Sequence, residues 1–346
     1  MQPNTLDPVR WLSGLLMLLA GLLLTAPTQS GAQTGTQASS NIVDTAFVRE
    51  AIARGALLWD ARDEASFLRG HIPGAVNLGS ATEELREPNT EDYLPLPQLE
   101  KLMGQAGLDL NREIIVYAQR GASVAYFAQL TLRNFGAPRA FVYHDGIDGW
   151  RAAGGNVATE RIAVKPVALK LTPRSDLTVD TKTVVAAVRQ PGVQIIDART
   201  PREFRGEDIR AIRGGHIPGA VNIPYEQNWV DPDAINKMRH GQIRDSSGMS
   251  LKSRDDLKAL YAGLDPKKET IVYCQSGSRA AETATVLQDL GFRNVRVYDA
   301  SWLGYAATLS APVENEVFVN VGALNAQIRS LENRLNALEA QLQRPR

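Results

Sequence analysis

Only one cysteine, Cys274, stands in this 346-residue chain. An intrachain disulfide is therefore excluded, and the four histidines, His71, His144, His216 and His240, add no metal-ligand spacing to it. Neither sign of charge is in excess, with 38 Lys and Arg against 38 Asp and Glu. Lacking a basic field or a dense Lys/Arg stripe, the chain lacks the footprint of a nucleic-acid binder. Its one long apolar run, WLSGLLMLLAGLLLT from Trp11 to Thr25, is about 15 residues, where a membrane span needs roughly 20. What is present is globular: 44% hydrophobic and 22% charged residues argue against disorder. The length suits two ordinary domains.

The N-terminus is expected to lie outside the fold. Arg10 precedes the apolar run, no charge falls between Arg10 and Asp44, and Ser30 and Ala32 occupy the −3 and −1 places of a signal-peptidase cut. The expectation is a cleaved signal over residues 1–32 and a protein exported to the periplasm or the extracellular space. An uncleaved anchor is the rival. No cysteine follows the run, so lipoprotein processing is excluded. Export makes the single thiol informative, because exported proteins usually hold cysteine in pairs. Cys274 is either an inert buried residue or a reactive thiol.

The chain says most things twice. VDTAFVREAIARGALLWDAR (43–62) matches VDTKTVVAAVRQPGVQIIDAR (179–199), RGHIPGAVN (69–77) matches GGHIPGAVN (214–222), and IVYAQRG (115–121) matches IVYCQSG (271–277). FVYHDGIDGW (141–150) stands where VRVYDASWLGY (295–305) stands. Order is kept with small insertions, which makes this an internal duplication. Short β-rich runs (LLWDAR, IIVYA, VQIIDAR, TIVYC, VRVYD) alternate with helical patterns such as SRDDLKALYAGL and RAAETATVLQDLGF, the latter closed by Gly291. Such alternation implies α/β domains, each a parallel sheet flanked by helices. Residues 42–156 and 177–315 are the expected domains, joined by an extended linker over 157–176. Beyond them Val321, Leu324, Ile328, Leu331, Leu335, Leu338 and Leu342 form a heptad seam, with Arg334 and Glu339 flanking it. A coiled-coil helix over 317–344 that joins copies of the chain is expected; its rival is a single helix lying on the domains.

Cys274 follows the strand TIVY and precedes a helix, so its thiol falls at the C-terminal edge of a parallel sheet, where ligands of open α/β folds bind. Gly277 permits a tight loop whose backbone N–H groups point inward, and the helix start adds its dipole. Amides, dipole and Arg279 together stabilise a thiolate, and would equally hold the outer sulfur of a persulfide.

Here the sequence resembles the rhodanese family, specifically its two-domain thiosulfate and 3-mercaptopyruvate sulfurtransferases. The segments that carry the resemblance are RGGHIPGAVNIPY (213–225), CQSGSRA (274–280), YDASWLGYAATLSAPVE (298–314) and HDGIDGW (144–150). It spans about residues 42 to 315. The resemblance implies a silent first domain and an active second one, and Ala118 and Ser123 stand where the first copy would need its thiol and its arginine. It implies that Cys274 takes a sulfane sulfur from a donor, with release of sulfite or pyruvate, and passes it to cyanide or a thiol without a metal or organic cofactor. Substrate contacts are expected from Arg279, Gln275, Ser276, Gly277 and Ser278, and from Arg199 as an anion-binding arginine supported by Asp197. His71 and His216 occur in both copies, so a structural turn role is expected, and Trp150 and Trp302 are expected to pack. CQSGSR lies between the cation-rich loop of thiosulfate members and the hydroxyl-rich loop of mercaptopyruvate members. Thiosulfate is the expected donor because an exported enzyme meets it more often. The rivals from other classes are a phosphatase or arsenate reductase and a non-catalytic sulfur carrier or interaction module.

Overall fold

Alternate residues of a strand point to opposite faces, and here both faces find apolar partners. In IIVY (Ile114–Tyr117), Ile114 and Val116 join one buried cluster with Tyr126 and Phe127, while Ile115 and Tyr117 join another with Phe67 and Trp150. A strand buried on both sides belongs in a parallel sheet between helices. The computed structural model describes residues 40–342. The expected signal over 1–32 lies outside the described residues.

Twelve strands are present among the described residues. The first domain holds β1 (Ile42–Val43), β2 (Leu57–Asp60), β3 (Ala75–Val76), β4 (Ile114–Tyr117) and β5 (Ala140–Tyr143), in the order β1-β5-β4-β2-β3. The second repeats this order with β6 (Thr178–Val179), β11 (Asn294–Tyr298), β10 (Glu269–Tyr273), β7 (Val193–Asp197) and β9 (Val221–Asn222). Every pairing within these two sheets is parallel. Ala118 and Cys274 each follow the central strand of their sheet, β4 and β10.

The helices Ser123–Asn134 and Ser278–Leu290, which start just after Ala118 and Cys274, pack on each other between the sheets. Their apolar faces merge into one core shared by both domains. Polar links reinforce it: Arg133 donates to Gln288 at 2.8 Å, and Asp289 accepts from the backbone N–H groups of Asn41 and Ile42 at 2.8 and 3.0 Å. Gly291 ends the second of these helices at φ +102°, the left-handed geometry that glycine adopts without a steric penalty.

The tail corrects the expected boundary at residue 317. Glu314–Phe318 is a strand, β12, antiparallel to β8 (Arg213–His216). Buried Arg213 fixes it, donating to Glu316 at 2.6 Å and to the carbonyl of Thr308 at 2.7 Å. Alternating charge and an edge position outweigh the helical period there. The helix itself is Val321–Leu342, and all seven seam residues are exposed.

Candidate active site

The loop after β10 is built by glycine geometry and by bonds to the turn after β11. Gly277 lies at φ +88°, and a Cβ there would meet Asp299 Oδ1 at 2.7 Å and Asp299 O at 2.9 Å, so no other residue fits. The Cys274 N–H donates to Ser301 Oγ at 3.0 Å, and that hydroxyl donates to the Tyr298 carbonyl at 2.7 Å. Ser301 holds φ +49°, a strained value for serine, kept because its hydroxyl serves the cysteine. Trp302 and Leu303 donate to the carbonyls of Cys274 and Gln275, each at 3.0 Å. The carbonyls of Cys274 and Gln275 are thereby tied to the turn after β11. Among the described residues, the N–H groups of Gln275, Ser276, Gly277, Ser278, Arg279 and Ala280 find no protein acceptor. Six unpartnered donors at a helix start around one thiol form an anion-binding ring. Cys274 sits at its floor, 1% exposed.

The first copy partners part of the same loop itself, through one side chain and backbone carbonyls. The Arg120 N–H donates to Asp148 Oδ2 at 3.0 Å and the Gly121 N–H to the His144 carbonyl at 3.3 Å. Arg120 turns away to Asp145 at 2.8 Å. Ala118 supplies no nucleophile, and a carboxylate already occupies one amide of its loop, that of Arg120.

The predicted side chains divide. Arg279 does not stand free for a donor anion: its two Nη atoms donate to the two oxygens of Glu203, each at 2.8 Å. Burial alone would raise the Glu203 carboxyl, but the Arg279 hydrogen bonds and charge more than offset this and hold it down at about 2. Burial works against Arg279 too. The Glu203 contacts and the charge at Cys274 outweigh it and hold the guanidinium above the usual arginine value. Arg199 is held inside the fold. It is 1% exposed, bound to Asp197 at 2.7 Å and to the Gly215 carbonyl at 2.7 Å, with its guanidinium 4.5 Å from the Trp302 ring centroid. Arg62, Asp60 and Gly70 repeat that network in the copy without a thiol, so it braces the fold. Asp197 is the carboxylate that holds Arg199.

Gln275 is also withdrawn, its side-chain amide donating to the Arg210 carbonyl at 2.7 Å. Ser278 donates across the domain boundary to Ser123 at 3.1 Å. Gly277 and Ser276 remain with the ring. Ser276 is half-buried, and its hydroxyl has no hydrogen bond among the described residues. His71 and His216 stack on Phe67 and Phe204 with ring centroids 3.7 and 3.6 Å apart and bond to the carbonyls of those residues, the same lock in both copies. Trp150 and Trp302 are buried.

Sequence reasoning missed Glu203, Ser301, Asp299 and, from the first domain, Arg86, which donates to Asp299 at 2.5 Å. One signal was available for Glu203. Phe67 and Phe204 are equivalent, so Ser66 stands opposite Glu203 as Ser123 stands opposite Arg279. The copy without the thiol has lost both partners of the ion pair together. Over the first copy's loop, and not over Cys274, a pocket of about 460 Å³ is lined by Gln119, Ser123 and Val124 of the first domain and Tyr225, Met238 and Met249 of the second. Both domains therefore form its wall.

The model of the rhodanese-like domain matches the chain twice, over residues 44–153 and 180–308. The thiosulfate sulfurtransferase of Corynebacterium glutamicum is 31% identical over 257 residues, 71% of this chain and 80% of that protein. Among solved structures, the 3-mercaptopyruvate sulfurtransferase SseA of Escherichia coli aligns with a TM-score of 0.63 at 26% identity, covering 76% of this chain and 99% of that one. The anaerobic ergothioneine biosynthesis enzyme of Chlorobium limicola aligns with a TM-score of 0.67 at 20% identity, covering 80% of this chain and 70% of that one, a likeness of fold.

Proposed function

The chain belongs to the rhodanese family, with two rhodanese-like domains in tandem, and from that premise we propose that it is a sulfurtransferase whose second domain carries sulfur on Cys274. The thiolate attacks the outer sulfur of thiosulfate, the S–S bond of the donor breaks, and its electron pair leaves with sulfite. The product is a Cys274 persulfide bearing one negative charge. Cyanide or a thiolate then attacks the outer sulfur, takes it away, and returns the Cys274 thiolate. This is covalent catalysis by an activated nucleophile.

One observation carries the reading: the amides of Gln275 through Ala280 are unpartnered around Cys274, whereas in the first copy the equivalents of Ser276, Gly277 and Ser278 are taken, the Arg120 amide by Asp148 and the Gly121 and Ala122 amides by the carbonyls of His144 and Gln119. Arg279 and Glu203 hold the ring rather than the donor. Thiosulfate is favoured over 3-mercaptopyruvate because the Corynebacterium glutamicum relative is a thiosulfate sulfurtransferase. The test is one preparation assayed with thiosulfate plus cyanide, with 3-mercaptopyruvate plus a thiol, and with an aryl phosphate. Sulfur transfer with negligible phosphatase activity is expected. A phosphate-transferring cysteine loop places five residues between Cys and Arg, and here there are four, Gln275 to Ser278. The smaller ring suits one extra sulfur atom but not three phosphate oxygens, whose positioning carries phosphoryl transfer. Aryl phosphate turnover that rivals both sulfur donors and vanishes in Cys274→Ser would overturn the assignment.

Two further features belong to the same proposal. The protein is exported, with a mature N-terminus near Gln33, on the support of the short apolar run and the Ser30 and Ala32 site. Terminal sequencing of the purified protein checks this, and an intact Met1 in membrane extracts contradicts it. The Val321–Leu342 helix joins two copies, on the support of its exposed heptad seam. A chain ending at Asn320 keeps β12 on β8 and is expected to fall to half the mass of the full-length protein in light scattering. Equal masses remove this role.

A further inference from the structure

The thiol loop is not completed by the second domain alone. Arg86 lies in the first domain between β3 and the Leu96–Gln105 helix, 3% exposed, with its guanidinium 4.1 Å from the Phe127 ring centroid. Its Nη1 donates to the Glu91 carbonyl and its Nη2 to Asp299 Oδ1 at 2.5 Å. A Cβ on Gly277 would stand 3.1 Å from that Nη2 as well as 2.7 Å from Asp299 Oδ1. The Arg86–Asp299 pair therefore rests against the turn of the loop that holds Cys274. Asp299 leads directly into Ser301, which holds the Cys274 N–H.

The two domains exchange covers. The segment after β9 lies over the first domain's Gly121 loop: a Cβ on Gly121 would be 2.9 Å from Met249 Cβ and 3.2 Å from the Trp229 ring, and His144 Nε2 bonds to the Met249 carbonyl at 2.8 Å. The segment after β3 lies over the second domain's Gly277 loop in return. The covers differ in kind: apolar side chains on the ring without a thiol, a cation on the ring with one.

The other charged groups around Cys274 leave a distinct task for Arg86. Arg279 is matched by Glu203, with Arg210 at 3.4 Å from Glu203 behind it. Tyr225 and Glu226 face the pair from the turn after β9, and Glu91 and Asp92 stand behind Asp299. Asp299 is the carboxylate set against the loop's glycine, and Arg86 is the cation bonded to it. Burial raises the Asp299 carboxyl and Arg86 works against that rise, so without Arg86 the carboxyl opposes the thiolate and the persulfide wherever it remains ionised.

We propose that Arg86 is a positioning residue for sulfur transfer: paired with Asp299, it fixes the Gly277 turn and cancels the carboxylate charge beside Cys274, so that the domain without a thiol governs the reactivity of the domain with one. This rests on the sulfurtransferase reading, and the test separates the two. Cys274 is the only thiol in the chain, so its alkylation by iodoacetamide needs no sulfur donor and reports the thiolate directly. Alkylation and thiosulfate:cyanide transfer are measured from pH 6 to 10 in the wild type, Arg86→Met, Arg86→Lys and Arg86→Met/Asp299→Asn. Methionine keeps the apolar stem on Phe127. Arg86→Met is expected to slow both reactions about tenfold at pH 7 and to regain the rate in alkali, as the loss of one close charge partner dictates. Arg86→Lys is expected to lose less, because it keeps the charge without the fork. The double variant removes both charges and is expected within about threefold of wild type. A wild-type pH profile in Arg86→Met overturns the proposal. So does a double variant that is slow at every pH, which would make packing the cause, and that result stands even where Arg86→Met fails to fold. Wild-type protein that moves no sulfur refutes the sulfurtransferase reading, while its alkylation profile still decides the role of Arg86.

Discussion

Cys274→Ser is expected to lower thiosulfate:cyanide transfer by roughly a thousandfold or more, because a nucleophile that forms the covalent intermediate has no substitute. No second thiol exists in the chain to take its place. Thermal unfolding should change little, since serine fits the same enclosed volume and its hydroxyl faces the unpartnered amides of the ring. Mass spectrometry gives the complementary reading. Wild-type protein incubated with thiosulfate should gain about 32 Da, one persulfide sulfur, and lose it on addition of cyanide. The serine variant should gain nothing. Ala118→Cys in that background should not restore transfer, because Asp148 already takes the Arg120 N–H and Ser123 stands where an arginine is needed. A fully active Cys274→Ser protein would sink the assignment.

Glu203→Gln is expected to cost on the order of 3 kcal/mol of stability and most of the activity, because it leaves Arg279 as a buried cation without its carboxylate. The pH dependence gives the sharper test. The Glu203 carboxyl is held at about 2 in the folded protein, against an ordinary value near 4.5. A depressed carboxyl contributes stability that is fully present above its unfolded value and is lost as pH falls through the folded one. Wild type should therefore lose its advantage over Glu203→Gln between about pH 4.5 and pH 2 and keep all of it from pH 6 upward. Denaturant titrations at pH 7, 4 and 2.5 measure this. A stability difference that does not change across that range would show that the pair contributes packing rather than charge.

Much of the architecture was legible in the residues themselves. VQIIDAR and TIVYC read as strands because β-branched runs bounded by turn residues have a local cause, and they appear as β7 and β10. The duplication was visible because both copies keep the same turn chemistry, HIPGAVN in each. Other features were out of reach. The family resemblance offers Arg199 as an anion-binding arginine, a reading that carries no information on its partners in the fold. Only the assembled sheet shows Asp197 and the Gly215 carbonyl enclosing it. The helical period of the tail spilled over Val317 and Phe318, which instead pair as β12 with Gly214 and Arg213, a partner strand roughly a hundred residues earlier.

Local residue patterns specify the α/β repeat, the loop that carries the thiol and the absence of that thiol from the first copy. Each of these depends on residues close together in the chain: a glycine in a turn, an apolar strand, a helix start beside a cysteine. Tertiary structure alone decided which charges serve the thiol. Arg279 meets Glu203 across 76 positions, and Arg86 meets Asp299 across 213. A buried charge is tolerated only where folding brings its partner within hydrogen-bond distance, and which partner that is depends on how the two sheets and their covering segments pack.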